Sequence, residues 1–429
     1  MAYRVKGQIV IETQTVYYDN ENLPQFDKKV DEPASNIPIT LYSQSGIALA
    51  EGETDENGNF DFALTRLPYA TDWLSIVPVY RTVGADGKYE PKFAIFEAVT
   101  SGTVKETYDL WQWTIRLSNY GKDGDYGDLG KIRITIAQNS GGIFIYTLLK
   151  RAYDDLASSS FGKKMSSLPS IGVFWKPGLV FSCGTCFMNT MPIGAEVGGV
   201  GMKKTMQVSG ALNEESAWGY PTLLHEFGHY VLYQMRDNSN GGAHYLNQAS
   251  DPKLAWSEGF ATLWALVEMS RMAEAPVTQY WRVMRSSSGA STSYWIDYAK
   301  LYSSLPSGTI LPPKPDMSKG MLQDIPEAWV THLLWALFDG AEVDDIKPDK
   351  DGVALGEAGI YEGIKSDRYK NCGSYNLNSR TATGADFVDF VDAVVCHAME
   401  QGKVEEAEAI MDLVIEKSFP YDRTPTCSK

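Results

Sequence analysis

His225-Glu226-Phe227-Gly228-His229 is the stretch on which the reading of this chain turns. Two histidines four residues apart stack on one face of an α-helix, close enough to hold a single metal ion. Glu226 lies about 100° further round the same helix, within reach of a water that such an ion would bind. Leu223, Phe227, Tyr230 and Val231 fall on the opposite side as a core-facing stripe. The spacing therefore predicts a helix with one metal-binding edge and one buried edge. Only five histidines occur in 429 residues, so a chance HExxH is uncommon.

Two histidines are an incomplete site, because catalytic zinc takes three protein ligands and keeps one position open. Downstream of His229 the candidates are His244, in a Gly-rich loop, and Glu258, in Leu254-Ala-Trp-Ser-Glu-Gly-Phe-Ala-Thr262. Asp251 before Pro252 reads as an N-cap followed by proline at the first helical position, so a helix is expected over 252–272. Glu258 projects from that helix among residues too apolar for a solvated face. Gly259 beside it is expected to let the helix wall approach the metal closely. A glycine-rich loop holds a ligand less rigidly, which makes Glu258 the expected third ligand. The further glycine and histidine that a metzincin needs after His229 are absent.

HEFGH followed by Trp-Ser-Glu-Gly-Phe-Ala resembles the gluzincin clan of zinc metallopeptidases, in which a later glutamate completes the HExxH site. The resemblance is strong over residues 225–262 and elsewhere rests on the order of elements. It implies Zn2+ held by His225, His229 and Glu258, with Glu226 as general base in the hydrolysis of peptide or protein substrates. Thermolysin-like members often place an acid one turn after the glutamate ligand to orient a ligating histidine; this chain has Thr262, which leaves that support in question. A Gly-x-Met-x-Asn motif of the aminopeptidase type is missing, which tilts the expectation toward an endopeptidase. Candidates for stabilising the oxyanion or contacting substrate are His244, His332 and tyrosines such as Tyr294 and Tyr298. His332 and His397 sit in apolar helical sequence, where a core histidine is the plainer reading.

Residues 1–118 read as all-β. Val5 to Thr13 and Ile39 to Ser43 alternate apolar and polar residues, and Thr54 to Phe62 forms a turn at Gly58 that feeds a strand with Phe60 and Phe62 on one face. Asn20 to Pro24 and Asp31 to Asn36 read as loops. The pattern resembles transthyretin-like or carboxypeptidase-regulatory-like β-sandwiches, which implies an accessory domain. Residues 119–130 form a Gly- and Asp-rich linker in which Asp123, Asp125 and Asp128 are candidate Ca2+ ligands, although a solvated linker is favoured. The fold class expected is therefore multidomain: an all-β sandwich followed over 131–429 by an α+β, mainly helical, zincin-like metallopeptidase domain. Within it come a strand over 132–136, a helix over 141–156 and a strand over 203–209. The last of these is either an edge that pairs with substrate backbone or a buried strand. The acidic loop 339–352 is a second Ca2+ candidate that reads better as solvated. Asp386 to Val395 reads as a late core helix with its acidic residues outward.

A net charge of −16 argues against a nucleic-acid partner, whose phosphates would be repelled. No run of 18 apolar residues is present to span a membrane. Cys183 and Cys186 form a C-x-x-C without a second pair, so a local disulfide or two thiols is preferred to structural zinc; pairing among these, Cys372, Cys396 and Cys427 stays open. An extracellular or cell-envelope location, with a leader trimmed, is expected, the cytoplasm being the alternative. Two function classes result: a zinc endopeptidase, or a surface or secreted binding protein that keeps a peptidase-like scaffold with little activity. Oligomeric state is open.

Overall fold

The computed structural model describes residues 3–20, 24–25, 28–83, 87–99, 107–121, 125–159, 162–164, 168–190, 194–211, 217–236, 242, 244, 248–272, 278–285, 291–298, 301, 312–321, 323–338, 353–370, 385–422, 425 and 427. Eight α-helices and a set of β-sheets occur among them. The longer strands of the N-terminal, β-rich region are β1 (Tyr3–Thr13), β2 (Val30–Pro33), β3 (Pro38–Tyr42), β4 (Ala48–Glu53), β5 (Asn59–Leu64), β6 (Trp73–Ile76), β7 (Val79–Val83), β8 (Tyr89–Glu97) and β9 (Trp113–Arg116). They are followed by β10 (Asp128–Ile134), helix α1 (Gly141–Ser158), β11 (Ile171–Trp175), β12 (Cys186–Met188) and β13 (Lys204–Val208).

Period-two burial explains the first two sheets. In β5 the residues alternate exposed and buried, and Phe60, Phe62 and Leu64 all turn inward. β1 carries antiparallel β5 along Tyr3 to Gln8 and antiparallel β2 along Val10 to Thr13, with parallel β10 on its other edge. Val30–Pro33 is therefore a strand, where turn-type residues alone suggest a loop; pairing with β1 overrides the local signal. The turn before β5 needs its glycine: Gly58 has φ +76°, and a Cβ there would lie 2.2 Å from the carbonyl oxygen of Ile9. Asp55 fixes that turn by accepting from the backbone N–H groups of Asn57 and Asn59. A second antiparallel sheet has the order β9-β6-β3-β4.

The third sheet, ordered β12-β13-β11-β8-β7, has a parallel centre of β13, β11 and β8 flanked by antiparallel strands. Its centre is buried on both faces, as the unbroken burial of Ile171 to Trp175 requires. β13, the strand before the HExxH helix, is interior; β12 covers its outer side, so β13 is not the free edge entertained for substrate pairing.

Contacts divide the chain into two units: 1–154 with 168–223 and 283–293, and 155–167 with 224–282 and 294–429. The boundary expected at residue 118 does not coincide with this division. The reason is strand pairing, because β10 joins the sheet of β1 and β11 joins that of β8. In the supposed linker, Asp125 accepts from the N–H of Gly127, while Asp128 opens β10, accepts from the N–H of Gly130 and pairs with Lys6. These carboxylates shape turns; Asp123 lies outside the described residues, as does the loop 339–352.

The second unit is built on helices α2 (Tyr220–Arg236, from residue 224), α3 (Pro252–Arg271), α4 (Glu327–Phe338), α5 (Gly356–Lys365), α6 (Asp367–Lys370), α7 (Phe387–Glu400) and α8 (Val404–Glu416). Its central element is α3, which starts as expected: Asp251 caps it by accepting from the N–H of Lys253, with Pro252 at the first helical position. Every residue from Ala255 to Met269 is buried, so α3 is walled on all sides. Trp256 stacks on Phe390 of α7 with ring centroids 5.2 Å apart.

Glycines set the helix spacings. A Cβ at Gly228 of α2 would lie 2.6 Å from the carbonyl oxygen and 2.8 Å from the Cα of Ala261 on α3. At Gly259 a Cβ would meet Val330 and the carbonyl oxygen of Glu327 on α4. Gly259 thus admits α4 rather than a metal, a correction to the role expected of it. The acidic residues of α7 also depart from expectation, since Asp386, Asp389 and Asp392 are buried. Asp386 and Asp389 form a capping box at the helix start, and Asp392 accepts from the hydroxyl of Tyr421 at 2.6 Å, so each inward carboxylate has a donor.

Disulfides join Cys183 to Cys186 and Cys396 to Cys427, the second tying the C-terminal segment to α7. Cys372 lies outside the described residues. No helix is long and apolar enough to cross a membrane among the described residues.

Gly228→Ala tests the backbone contact between α2 and α3. Because the added methyl meets main chain that cannot swing away, a loss of about 1–3 kcal/mol is expected in denaturant unfolding of this unit. An unchanged midpoint would mean that the two helices can separate without cost.

Candidate metal centre

The HExxH residues sit on α2 as the spacing predicts, with Leu223, Phe227, Tyr230 and Val231 buried on the core side. Across the Gly228–Ala261 contact, α3 presents Glu258. Three atoms converge there: His225 Nε2 lies 3.0 Å and His229 Nε2 3.1 Å from Glu258 Oε2, and the two Nε2 atoms are 3.1 Å apart. Donors at about 2.0–2.2 Å from a tetrahedral zinc stand about 3.3–3.6 Å from one another, so the triangle is within a few tenths of an ångström of the size such an ion needs. The chemistry of the donors agrees. Three electron-rich atoms pointed at one place repel unless a cation or proton lies among them, and His225 and Glu258 are buried. The donor set suits a divalent ion, and the residues that would hold it are His225, His229 and Glu258.

The outer nitrogens of both rings also have partners. His225 Nδ1 lies 2.9 Å from Thr262 Oγ1, and His229 Nδ1 makes a longer contact, 3.4 Å, to Ser257 Oγ. Thr262, whose lack of charge put ligand support in question, stands where the orienting group is needed. Tyr280 packs edge-on against His225, with ring centroids 6.1 Å apart.

Burial strips water from these groups and shifts their ionisation. It disfavours charge on His225, whose pKa falls despite the opposing hydrogen bond that Glu258 accepts. Burial also opposes charge on His229, but the carboxylates of Glu258 and Glu226 outweigh it and raise that pKa. Burial would push Glu258 up, yet His229 and His225 hold its carboxyl well below the usual range.

Of the other candidates, His244 is brought to this cluster. Its Nε2 lies 3.5 Å from Glu258 Oε2, and its Nδ1 lies 2.6 Å from Glu327 Oε2 at the start of α4. His244, Glu258 and Glu327 form a second group within metal-binding range among the described residues. The ring, however, turns a different nitrogen to each carboxylate, which suits a cationic imidazolium bridging two acids better than a cradle for an ion. Burial opposes that charge, but the hydrogen bond to Glu327 and the fields of Glu258, Glu327 and Glu226 push the pKa up to about 9. Glu327, 3% exposed, went unnoticed in the sequence; its position at the first turn of an apolar helix was the available signal.

His332 donates from Nδ1 to the backbone carbonyl of Tyr298 at 2.6 Å and packs on Trp329, and it belongs to neither ligand group. Tyr298 is wholly buried and meets His332 through its main chain. Neither belongs to a ligand group among the described residues. The side chain of Tyr294 lies outside the described residues. His397 bonds Gln401 one turn along α7.

No family model matches the chain, and no curated protein matches it. Among solved structures, a 9R-lipoxygenase from Cyanothece aligns with 11% identity over 100% of this chain and 68% of that one, with a TM-score of 0.18. A likeness at that level carries no argument about fold or chemistry.

Metal binding and protonation compete at the histidines, so affinity should fall as pH drops and His229 charges. Isothermal titration with Zn2+ at several pH values is expected to give one ion per chain, with weaker binding and more protons released per ion in acid. In the metal-free protein, NMR titration should place His244 near the raised value of about 9, with its charge retained below that pH and lost above it. Glu327→Gln should move it down toward the ordinary histidine range. A midpoint unmoved by that change would remove Glu327 as its partner.

Proposed function

We propose that this protein is a gluzincin-type zinc metallopeptidase that cleaves peptide bonds within protein or peptide substrates, with the N-terminal β-rich region as a transthyretin-like accessory module. The observation that carries the reading is the convergence of His225 Nε2, His229 Nε2 and Glu258 Oε2 at 3.0–3.1 Å, with Glu226 on the same helix as the two histidines. When bound, zinc supplies Lewis-acid polarisation of a carbonyl and acidifies a water molecule.

The chain's residues perform the rest. Glu226, 6% exposed, takes the proton of the attacking water and returns it to the leaving nitrogen. Its nearness to His229 and His244 is felt in the charge that it favours on both. His244, locked at Nδ1 by Glu327, turns its Nε2–H toward the ligand cluster and donates to the carbonyl oxygen as negative charge grows there. Among the oxyanion candidates His244 is preferred because it touches the cluster, its Nε2 lying 3.5 Å from Glu258 Oε2.

The absence of an aminopeptidase-type Gly-x-Met-x-Asn sequence supports endopeptidase action. The two disulfides support an extracellular or cell-envelope location, since such bonds persist where thiols are not kept reduced.

Glu226→Gln should retain stoichiometric zinc while lowering turnover of a denatured protein substrate by at least about a hundredfold. His244→Gln should lower kcat by about 10²–10³ with a smaller change in KM. Zinc-loaded wild-type protein without hydrolysis, or Glu226→Gln with full activity, would defeat the peptidase reading.

A further inference from the structure

A histidine that gives Nε2 to a metal carries its proton on Nδ1, and that proton needs an acceptor if the ring is not to turn. For His225 the group in place is the Thr262 hydroxyl, 2.9 Å away and 2% exposed, where no bulk water competes. Thr262 follows Glu258 by four residues on α3, so ligand and hydroxyl rise from one face of one helix and reach the same imidazole from its two ends: Glu258 at Nε2 and Thr262 at Nδ1. The corresponding atom of His229 has Ser257 nearby, from the same helix. Both partners are neutral. Charge gives a reason: Glu226, Glu258 and Glu327 already bury three carboxylates around the centre, and a fourth at 262 would add negative charge with no cation to match it.

We propose that Thr262 is a positioning residue of the metal centre, fixing His225 with Nε2 toward the ion through a neutral hydrogen bond that leaves the ion less tightly held than a carboxylate tether would. The inference rests on reading His225, His229 and Glu258 as metal ligands. A hydroxyl fixes the tautomer and the ring plane but adds little electron density to the imidazole. A carboxylate in its place would make the ring a stronger donor.

Zn2+ affinity measured by competition with a chromophoric chelator, together with the visible spectrum of the Co2+-loaded protein, tests this in wild type, Thr262→Val, Thr262→Ser and Thr262→Asp. Thr262→Val keeps the shape and removes the acceptor; a loss of about 10–100-fold in affinity and an altered Co2+ spectrum are expected. Thr262→Ser should bind as wild type does, a rescue that packing alone would not predict, because it lacks the methyl that valine retains. Thr262→Asp should bind more tightly than wild type. Wild-type affinity and spectrum in Thr262→Val, or Thr262→Ser as weak as Thr262→Val, would overturn the tether. Thr262→Asp no tighter than wild type would overturn its neutral character. Failure of wild-type protein to bind stoichiometric zinc would instead reject the metal-centre reading itself, so the two failures are distinguishable.

Discussion

Burying Glu258 is the constraint on which the second unit depends. An isolated carboxylate removed from water is strongly disfavoured, and at 5% exposure Glu258 has almost no water to help it. Glu226 and Glu327 are buried nearby, so three acidic side chains share one region. Their compensation is local: His225 and His229 reach the same oxygen of Glu258, and His244 lies between Glu258 and Glu327. A divalent ion together with a His244 imidazolium would bring three negative charges against three positive ones. Without an ion the region holds charge only by protonating its histidines, which makes the cluster costly as a mere piece of core.

Much of this was legible in the chain, for reasons that differ by residue. HExxH spacing is a property of helix geometry, so His225, Glu226 and His229 could be placed before any fold was known. Glu258 could be placed because an acid in Ala-Trp-Ser-Glu-Gly-Phe-Ala contradicts its surroundings, and Asp251-Pro252 announces the helix that carries it. Glu327 could not. It lies 83 residues from His244, and nothing local marks that pairing. Thr262 left that support open in the sequence, and its hydroxyl stands 2.9 Å from His225 Nδ1.

Long-range pairing also explains why the compact units do not follow the strand patterns of the sequence. The strand patterns of the first 118 residues were readable, but their partners were not, because β1 recruits β10 and β8 recruits β11 from beyond that point. The orientation of α7 failed for a related reason. An amphipathic count sends acids outward, whereas Asp386 and Asp389 are consumed in capping and Asp392 by Tyr421, a residue 29 positions away.

Gly228 has a meaning beyond packing. The contact at that residue is side chain-free on the α2 side and meets the main chain of Ala261 on α3, so no side chain of α2 holds the two helices apart there. The ligands of α2 and α3 rise from either side of that contact. The spacing of these side chains is thus governed by van der Waals contact between two backbones. Widening the cluster would require two buried helices to part, so its dimensions belong to the fold.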